Sequence, residues 1–316
     1  MRRALAFSIV LKAALSASGA SAETLKVAVA QRGFWNSSFI EFGIKQGFFK
    51  ETGLDIDILY TEGGASTLTP VIAGSIDIAM TNGTLGAIAA YAKGMPVKII
   101  SAEATGAPDA FWYARPESGI TTLADTAGRT VAFSSPGSST NLILLQLIQQ
   151  AKVTPKMVAT GGAPGTLTQV MSGQIDIGWA AAPFGLDQVD NTIRIVARGS
   201  DVAATRQLTT RVLIAHAETL AQNKATIAKF LAAYRETIDW MYAGPEAIKI
   251  FAEFAGVSES AAKRARDEFF TKAALDPGTV TGLPEMMADG VQFKFLQAPL
   301  TQDQLAQIVQ IGGKIP

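Results

Sequence analysis

Gly63-Gly64-Ala65-Ser66-Thr67-Leu68-Thr69-Pro70-Val71, running into Gly74-Ser75-Ile76-Asp77-Ile78, is met again further along the chain. The second copy is Gly161-Gly162-Ala163-Pro164-Gly165-Thr166-Leu167-Thr168-Gln169-Val170, running into Gly173-Gln174-Ile175-Asp176-Ile177. Leu68 to Leu167 and Asp77 to Asp176 are each 99 positions, and one extra residue in the second glycine loop absorbs the offset at its start. Solenoids repeat every ~20–50 residues, so a period this long reads instead as two lobes of one topology. Each copy has the same surroundings. An apolar strand precedes it (Leu25–Ala30; Thr130–Ser134), then a second strand (Asp55–Tyr60; Met157–Thr160), the glycine loop, a short helix and the Ile-Asp-Ile strand. Strands alternating with helices predict a parallel sheet in each lobe, with ligands beyond the carboxyl ends of the strands. Two such edges face to face make a cleft, a favoured place for a small molecule.

The last third is different. Ala217–Tyr242 places Ile227, Phe230, Leu231, Tyr234, Ile238 and Met241 at helical spacing, and Gly244-Pro245 stops it. Pro245–Ala255, Ser258–Ala273 and Pro284–Gln297 read as further helices, and Thr301-x-x-Gln304 is a capping box for a last one. This helical mass is expected to pack on the first lobe. The chain should cross between lobes near Ser118 and near Asp201. That gives 23–117 with 202–316 as one lobe and 118–201 as the other.

Composition removes most chemistry. The 316 residues carry 27 basic and 27 acidic side chains, one His and no Cys, with 48% apolar and 17% charged residues. Such a chain is globular rather than disordered. Without cysteine there is no disulfide, thiol nucleophile or iron–sulfur ligand, and one His builds no imidazole metal site. No window has the ~18 uninterrupted apolar residues of a membrane span. Met1–Ala22 reads as a secretory signal. Arg2 and Arg3 lead an apolar stretch interrupted by Lys12, and Ala20-Ser21-Ala22 is a small-x-small cleavage site. Losing it leaves 24 basic against 27 acidic residues, a mildly acidic chain with no basic patch for nucleic acid.

The richest local signal is Ser134-Ser135-Pro136-Gly137-Ser138-Ser139-Thr140-Asn141, directly ahead of a helix over Leu142–Ala151. A helix N-terminus offers free N–H groups and partial positive charge, and hydroxyls add uncharged donors. Ser135, Ser138, Ser139 and Thr140 are therefore candidate ligand contacts, beside the plainer role of capping their own helix. Ser66 and Thr67 repeat this chemistry in the first lobe. Phe34, Trp35 and Asn36 follow the first strand, where an aromatic pair could stack on a ring and an amide could bond its edge. Asn82 and Thr84 follow the first Ile-Asp-Ile strand, and Trp179 follows the second. Asp77 and Asp176, repeated between isoleucines, read as strand-end hydrogen-bond acceptors. His216 is the lone imidazole in an apolar strand. With no Gly-x-Ser-x-Gly elbow, Walker loop or paired carboxylates, no catalytic residue, metal site or cofactor is expected.

With these pieces placed, the chain resembles the periplasmic solute-binding proteins of ABC importers, in the group handling nitrate, taurine, alkanesulfonates and thiamine or pyrimidine precursors. The likeness is carried by Glu41–Leu54, similar to that group's E-x-G-x-F-x-x-x-G-L segment, and by Gly74–Ala79. Lys93-Gly94-Met95-Pro96-Val97 and Ile120–Gly128 continue it into the serine loop. The resemblance implies the two-lobed periplasmic-binding-protein fold, type II-like, with parallel-sheet lobes and a ligand cleft between them. It also implies a monomeric periplasmic protein that hands a small organic ligand to ABC permease subunits driven by an ATPase. A sensor or scavenger without a transporter, or a cleft transferase or hydrolase, are the other functions this architecture allows. Relatives place Trp-Glu before the proline after the second repeat strand. Here Ala181-Ala182 precede Pro183, so that contact is not carried over. The similar yeast pyrimidine-synthesis enzymes use His and a cysteine cluster, which this chain cannot supply.

Overall fold

The computed structural model describes residues 22–311. The leader read over Met1–Ala22 lies, apart from Ala22, outside them. In chain order, β1 (Glu23–Ala30), α1 (Phe39–Gln46), α2 (Phe48–Glu51), β2 (Leu54–Thr61), α3 (Gly64–Ile72), β3 (Ile78–Gly83), α4 (Thr84–Ala92) and β4 (Val97–Thr105) build the first lobe. β5 (Ala110–Ala114), β6 (Thr130–Phe133), α5 (Ser139–Ala151), β7 (Lys156–Ala159), α6 (Ala163–Met171), β8 (Ile177–Ala181) and β9 (Arg194–Arg198) build the second. The chain returns with β10 (Thr209–His216), α7 (Ala217–Gln222), α8 (Lys224–Ala243), α9 (Glu246–Ala255), α10 (Glu259–Arg264), α11 (Leu283–Gln292) and α12 (Gln302–Ile308).

The two sheets have one topology. Their orders are β2-β1-β3-β10-β4 and β7-β6-β8-β5-β9, with β10 and β5 each inserted antiparallel. This is the two-lobed periplasmic-binding-protein fold. The repeat extends to single hydrogen bonds. Asp77 accepts from the Lys26 backbone N–H at 2.8 Å, and Asp176 accepts from that of Thr130 at 2.8 Å. Each aspartate thus fastens its lobe's central parallel strand, within β1 at Lys26 and at the start of β6 at Thr130. Both precede rather than occupy their strands, which open at Ile78 and Ile177.

Three expectations need correction. β5 pairs with β8 and β9, so the chain leaves the first sheet between Thr105 and Ala110, ahead of the Ser118 that composition suggested. The antiparallel strand is laid down before the Gly/Ser stretch is reached. Ala217–Tyr242 is two helices, because Asn223 leaves the helical region (φ −121, ψ 37) between α7 and α8. The helix read over Ser258–Ala273 is shorter: Ser258 caps α10, and a single wider π-helical turn over Ala265–Phe269 follows it. That turn lets the consecutive rings of Phe269 and Phe270 both enter the core.

The C-terminal helices cover the first sheet. Alternation along β1 feeds both faces: Val27 and Val29 join Phe39, Phe42 and Phe230, whereas Ala28 joins Val71 and Ile88. On the first face α8 lies along α1 and α2, with Phe230 stacked on Phe49 at 5.4 Å. On the other, α11 meets α4, and Val309 bridges to Ile99 of β4. No helix among the described residues is long and apolar enough to cross a membrane.

Candidate functional site

The carboxyl ends of β1, β3, β6 and β8 converge between the lobes, and the lobes are closed on each other there. Gln146 of α5 donates to Asp289 of α11 at 2.7 Å, and Ser258 donates its hydroxyl to Asp187 at 2.7 Å. Tighter still is a backbone contact. A Cβ placed on Gly86 would stand 2.4 Å from the Gly137 carbonyl oxygen, and one on Gly83 would stand 2.5 Å from it. Gly137 itself has φ +78, a conformation glycine adopts without steric cost.

Behind this seat is a cavity of about 30 Å³. Since one water needs ~10–15 Å³, it has room for about two waters or a compact head group. From the first lobe come Gln31, Phe34, Gly63, Gly64, Thr81 and Arg211; from the second come Ser134, Ser138, Ser139, Thr140, Trp179 and Ala181. Phe34 meets Trp179 edge to face at 6.4 Å, so each lobe supplies one aromatic wall. Trp179 and Ala181, two apart on β8, share the inward face. An alanine at the second position adds no polar atom.

Arg211 is the group the sequence reading passed over. It stands near the start of β10, buried to 4%, and its Nη2 makes an ion contact with Asp109 at 2.8 Å. Its Nε donates to the Ser139 hydroxyl at 3.2 Å, joining the lobes. Among the described residues, neither Nη1 nor the indole N–H of Trp179, both buried, has a hydrogen-bond partner. Two orphan donors on one small cavity demand an explanation, since nearly all buried polar groups in folded proteins are paired. The signal was there to find: Arg211 is the one charge in the stretch Thr209–Ala215, where a solvated residue is not expected.

The serine loop lies at the cavity and at the start of α5. Ser138 is the N-cap of α5, its hydroxyl accepting from the Asn141 N–H at 3.1 Å, and it also lines the cavity. Thr140 accepts from the Ser134 N–H, which ties the strand end to the helix start. Helix α5 begins at Ser139, three residues before the Leu142 start read from the sequence. Ser135 is turned instead to the first lobe, where it accepts from the Ala65 N–H at 3.4 Å.

Several candidates lie elsewhere. Trp35 is wholly buried, donates to the Tyr242 hydroxyl at 2.9 Å and packs on Phe251 at 4.7 Å, so it is core. The reason is tertiary, because α9 and the end of α8 cover it. Asn36 donates to Glu103, Thr67 bonds the Gly64 carbonyl and Asn82, and Thr84 bonds the Thr209 carbonyl at 2.6 Å. Asn82 also holds the Met80 carbonyl, and Ser66 is exposed on α3. None of these six, nor Ser135, lines the cavity. His216 caps α7 by accepting from the Glu218 N–H. Among the described residues no group of three or more His, Cys, Asp or Glu could hold a metal.

A second buried acid, Glu103, bonds the cavity-lining Thr81. Burial pushes the Glu103 carboxyl up, against hydrogen bonds from Thr81 and Asn36 and the charge of Arg211 that pull it down. The pocket is therefore lined with donors and set beside a buried cation that Asp109 already partly neutralises.

Solved structures share this architecture at low sequence identity. The alkanesulfonate-binding protein SsuA of Xanthomonas axonopodis pv. citri, bound to MOPS, matches with a TM-score of 0.74 at 16% identity, covering 92% of this chain and 98% of that one. The periplasmic nitrate-binding protein NrtA of Synechocystis PCC 6803 matches at 0.70 and 13% identity, covering 90% and 84%. The desulfurization enzyme DSZB matches at 0.64 and 15% identity, covering 92% and 97%, so the fold also carries an enzyme. No curated protein matches the sequence significantly. The model of the family described as NMT1/THI5 like matches residues 35–248, more than half of the chain, and the chain belongs to that family.

Proposed function

We propose that this protein is an exported solute-binding protein that closes its two lobes on a small organic oxyanion, a sulfonate or a carboxylate, and presents it to an ABC permease. The observation that carries the reading is the pair of orphan donors, Arg211 Nη1 and Trp179 Nε1, on one interlobe cavity. Donors without acceptors call for a ligand rich in acceptor oxygens, and a hydrogen bond between charged partners is the stronger kind. Ser139 and the N-terminus of α5 add donors on the second lobe. Phe34 and Trp179 form apolar walls for an organic body, and Phe34, Ser138, Ser139, Thr140, Trp179 and Arg211 are the proposed contacts. Closure then gains contacts from both lobes that the open form cannot make. The guanidinium offers hydrogen-bond donors and no acceptor, so it binds an oxyanion without reacting with it. Family membership and the fold shared with sulfonate- and nitrate-binding proteins support binding over catalysis. Export with cleavage after Ala22 completes the proposal.

Calorimetric titration with methanesulfonate, ethanesulfonate, benzoate, nitrate and uracil tests it, on the natural chain and on Arg211→Lys. Lysine keeps the charge but cannot both meet Asp109 and offer a second planar donor. A sulfonate or carboxylate should bind and raise the melting temperature, and the variant should lose at least ten-fold in affinity. Binding of uracil alone, or full affinity in the lysine variant, overturns the ligand class.

A further inference from the structure

Glu103 is only 1% exposed and does not line this cavity, yet three donors converge on it. Its Oε2 accepts from the Thr81 backbone N–H at 2.5 Å; its Oε1 accepts from the Thr81 hydroxyl at 3.0 Å and from Asn36 Nδ2 at 2.5 Å. Two irregularities of the sheet create this arrangement. Between β10 and β4, Arg211 faces Ala104 and Val212 faces Ala102, so Glu103 is an extra residue, a bulge that re-aims its side chain. Between β10 and β3, Val212 faces Asn82 and Ile214 faces Ala79, so Thr81 has no registered partner in β10, nor in β1. The N–H of half-buried Thr81, left without a ladder partner, is met by Glu103 from two strands away.

Thr81 needs holding. Its φ is +59, and a β-branched residue there is a genuine outlier. Such residues persist where their surroundings over-determine them, and they gather at ligand clamps. Thr81 lines the cavity, at the carboxyl end of β3 opposite Trp179 and the serine loop. We infer that Glu103 is a positioning residue of this site: from a bulge in β4 its carboxylate pins Thr81 in the left-handed conformation and so sets the first-lobe wall against which the ligand closes. Asn36 is the third point of the pin, which accounts for a buried amide beside a cavity it does not touch. The inference rests on reading the cavity as the binding site.

A double-variant cycle with methanesulfonate as probe tests it, using Glu103→Gln, Thr81→Gly and the pair together. Glutamine turns an N–H₂ toward one of the three donors and breaks the pin, so affinity should fall at least ten-fold. Thr81→Gly alters the wall and lowers affinity by its own amount, but glycine takes φ near +60 unaided. Glu103→Gln added to it should therefore cost less than a further two-fold. Equal loss in both backgrounds, or wild-type affinity in Glu103→Gln, overturns the inference. Should Glu103→Gln not fold, Glu103→Asp, too short to span to Thr81, takes its place in the same cycle. Urea midpoints without ligand separate this inference from the functional reading. If the natural chain binds none of the titrated anions, the ligand class fails. Glu103 then stands if its substitution lowers the midpoint only where Thr81 is present, and falls if the midpoint drops equally in both backgrounds.

Discussion

Replacing Gly86 by alanine separates closure from folding. In an exposed helix interior this change stabilises by roughly 0.5–1 kcal/mol. Gly86 is the third residue of α4, where the gain is smaller but of the same sign. In the closed form the new methyl meets the Gly137 carbonyl oxygen at 2.4 Å and its carbon at 3.1 Å. Carbon contacts are favourable from about 3.5 Å, so the lobes must part by about 1 Å at the seat. Backbone stands on both sides, and no side chain can swing away. Overpacking of this kind costs about 1–3 kcal/mol, which falls entirely on the closed state and corresponds to roughly 5- to 150-fold in affinity. Methanesulfonate titration should show that loss, while urea unfolding without ligand shows equal or higher stability. Small-angle scattering should show less compaction on adding ligand than in the natural chain. Affinity within two-fold of the natural chain, with full compaction, would refute the Gly83–Gly86–Gly137 seat as the point where the lobes meet.

Trp179→Phe keeps a ring on the wall and removes the orphan N–H. Affinity for methanesulfonate should drop by about 1.5–3 kcal/mol, the usual worth of a hydrogen bond to a charged group, with ligand-free stability little changed. Trp112→Phe is the contrast, because that indole donates to the Ala132 carbonyl at 2.9 Å and its loss should appear in urea unfolding. Ser138→Ala removes the cap of α5 and should lower stability by about 1 kcal/mol in the same assay. Asp176 tests the duplicated anchor by pH. Burial raises its carboxyl, but the Thr130 N–H and hydroxyl and the charges of Arg129 and Arg115 outweigh this and hold it below the usual range. A depressed folded value means stability present above the unfolded value of ~3.9 and lost as pH falls below it. The stability gap between the natural chain and Asp176→Asn should therefore be constant from pH 7 to about 5 and shrink toward pH 3. A gap that widens on acidification would contradict the anchor.

What the sequence determined by itself was the repeat and those local features that are satisfied within a few residues. The 99-residue duplication is written in matching words, so two lobes of one topology followed without coordinates. The capping box at Thr301 and Gln304 and the helix after the serine loop were legible because each is satisfied within a few residues. Asp77 and Asp176 were legible as hydrogen-bond acceptors at the strands, since their place between isoleucines recurs. The tertiary structure alone decided which polar and aromatic groups face the cavity. Trp35 follows β1 and Trp179 sits within β8, yet α8 and α9 bury the first against Tyr242 and Phe251 and leave the second at the lobe interface with its N–H unpaired among the described residues. Arg211 is 72 residues from Ser139 in sequence and reaches it only because the chain returns to the first sheet as an antiparallel strand. Thr81 and Glu103 meet across an intervening strand through two register shifts that leave no trace in hydrophobic periodicity. Burial and pairing are properties of the closed molecule. A pattern of residue types reports which groups are able to bind, and packing selects the ones left unsatisfied to do it.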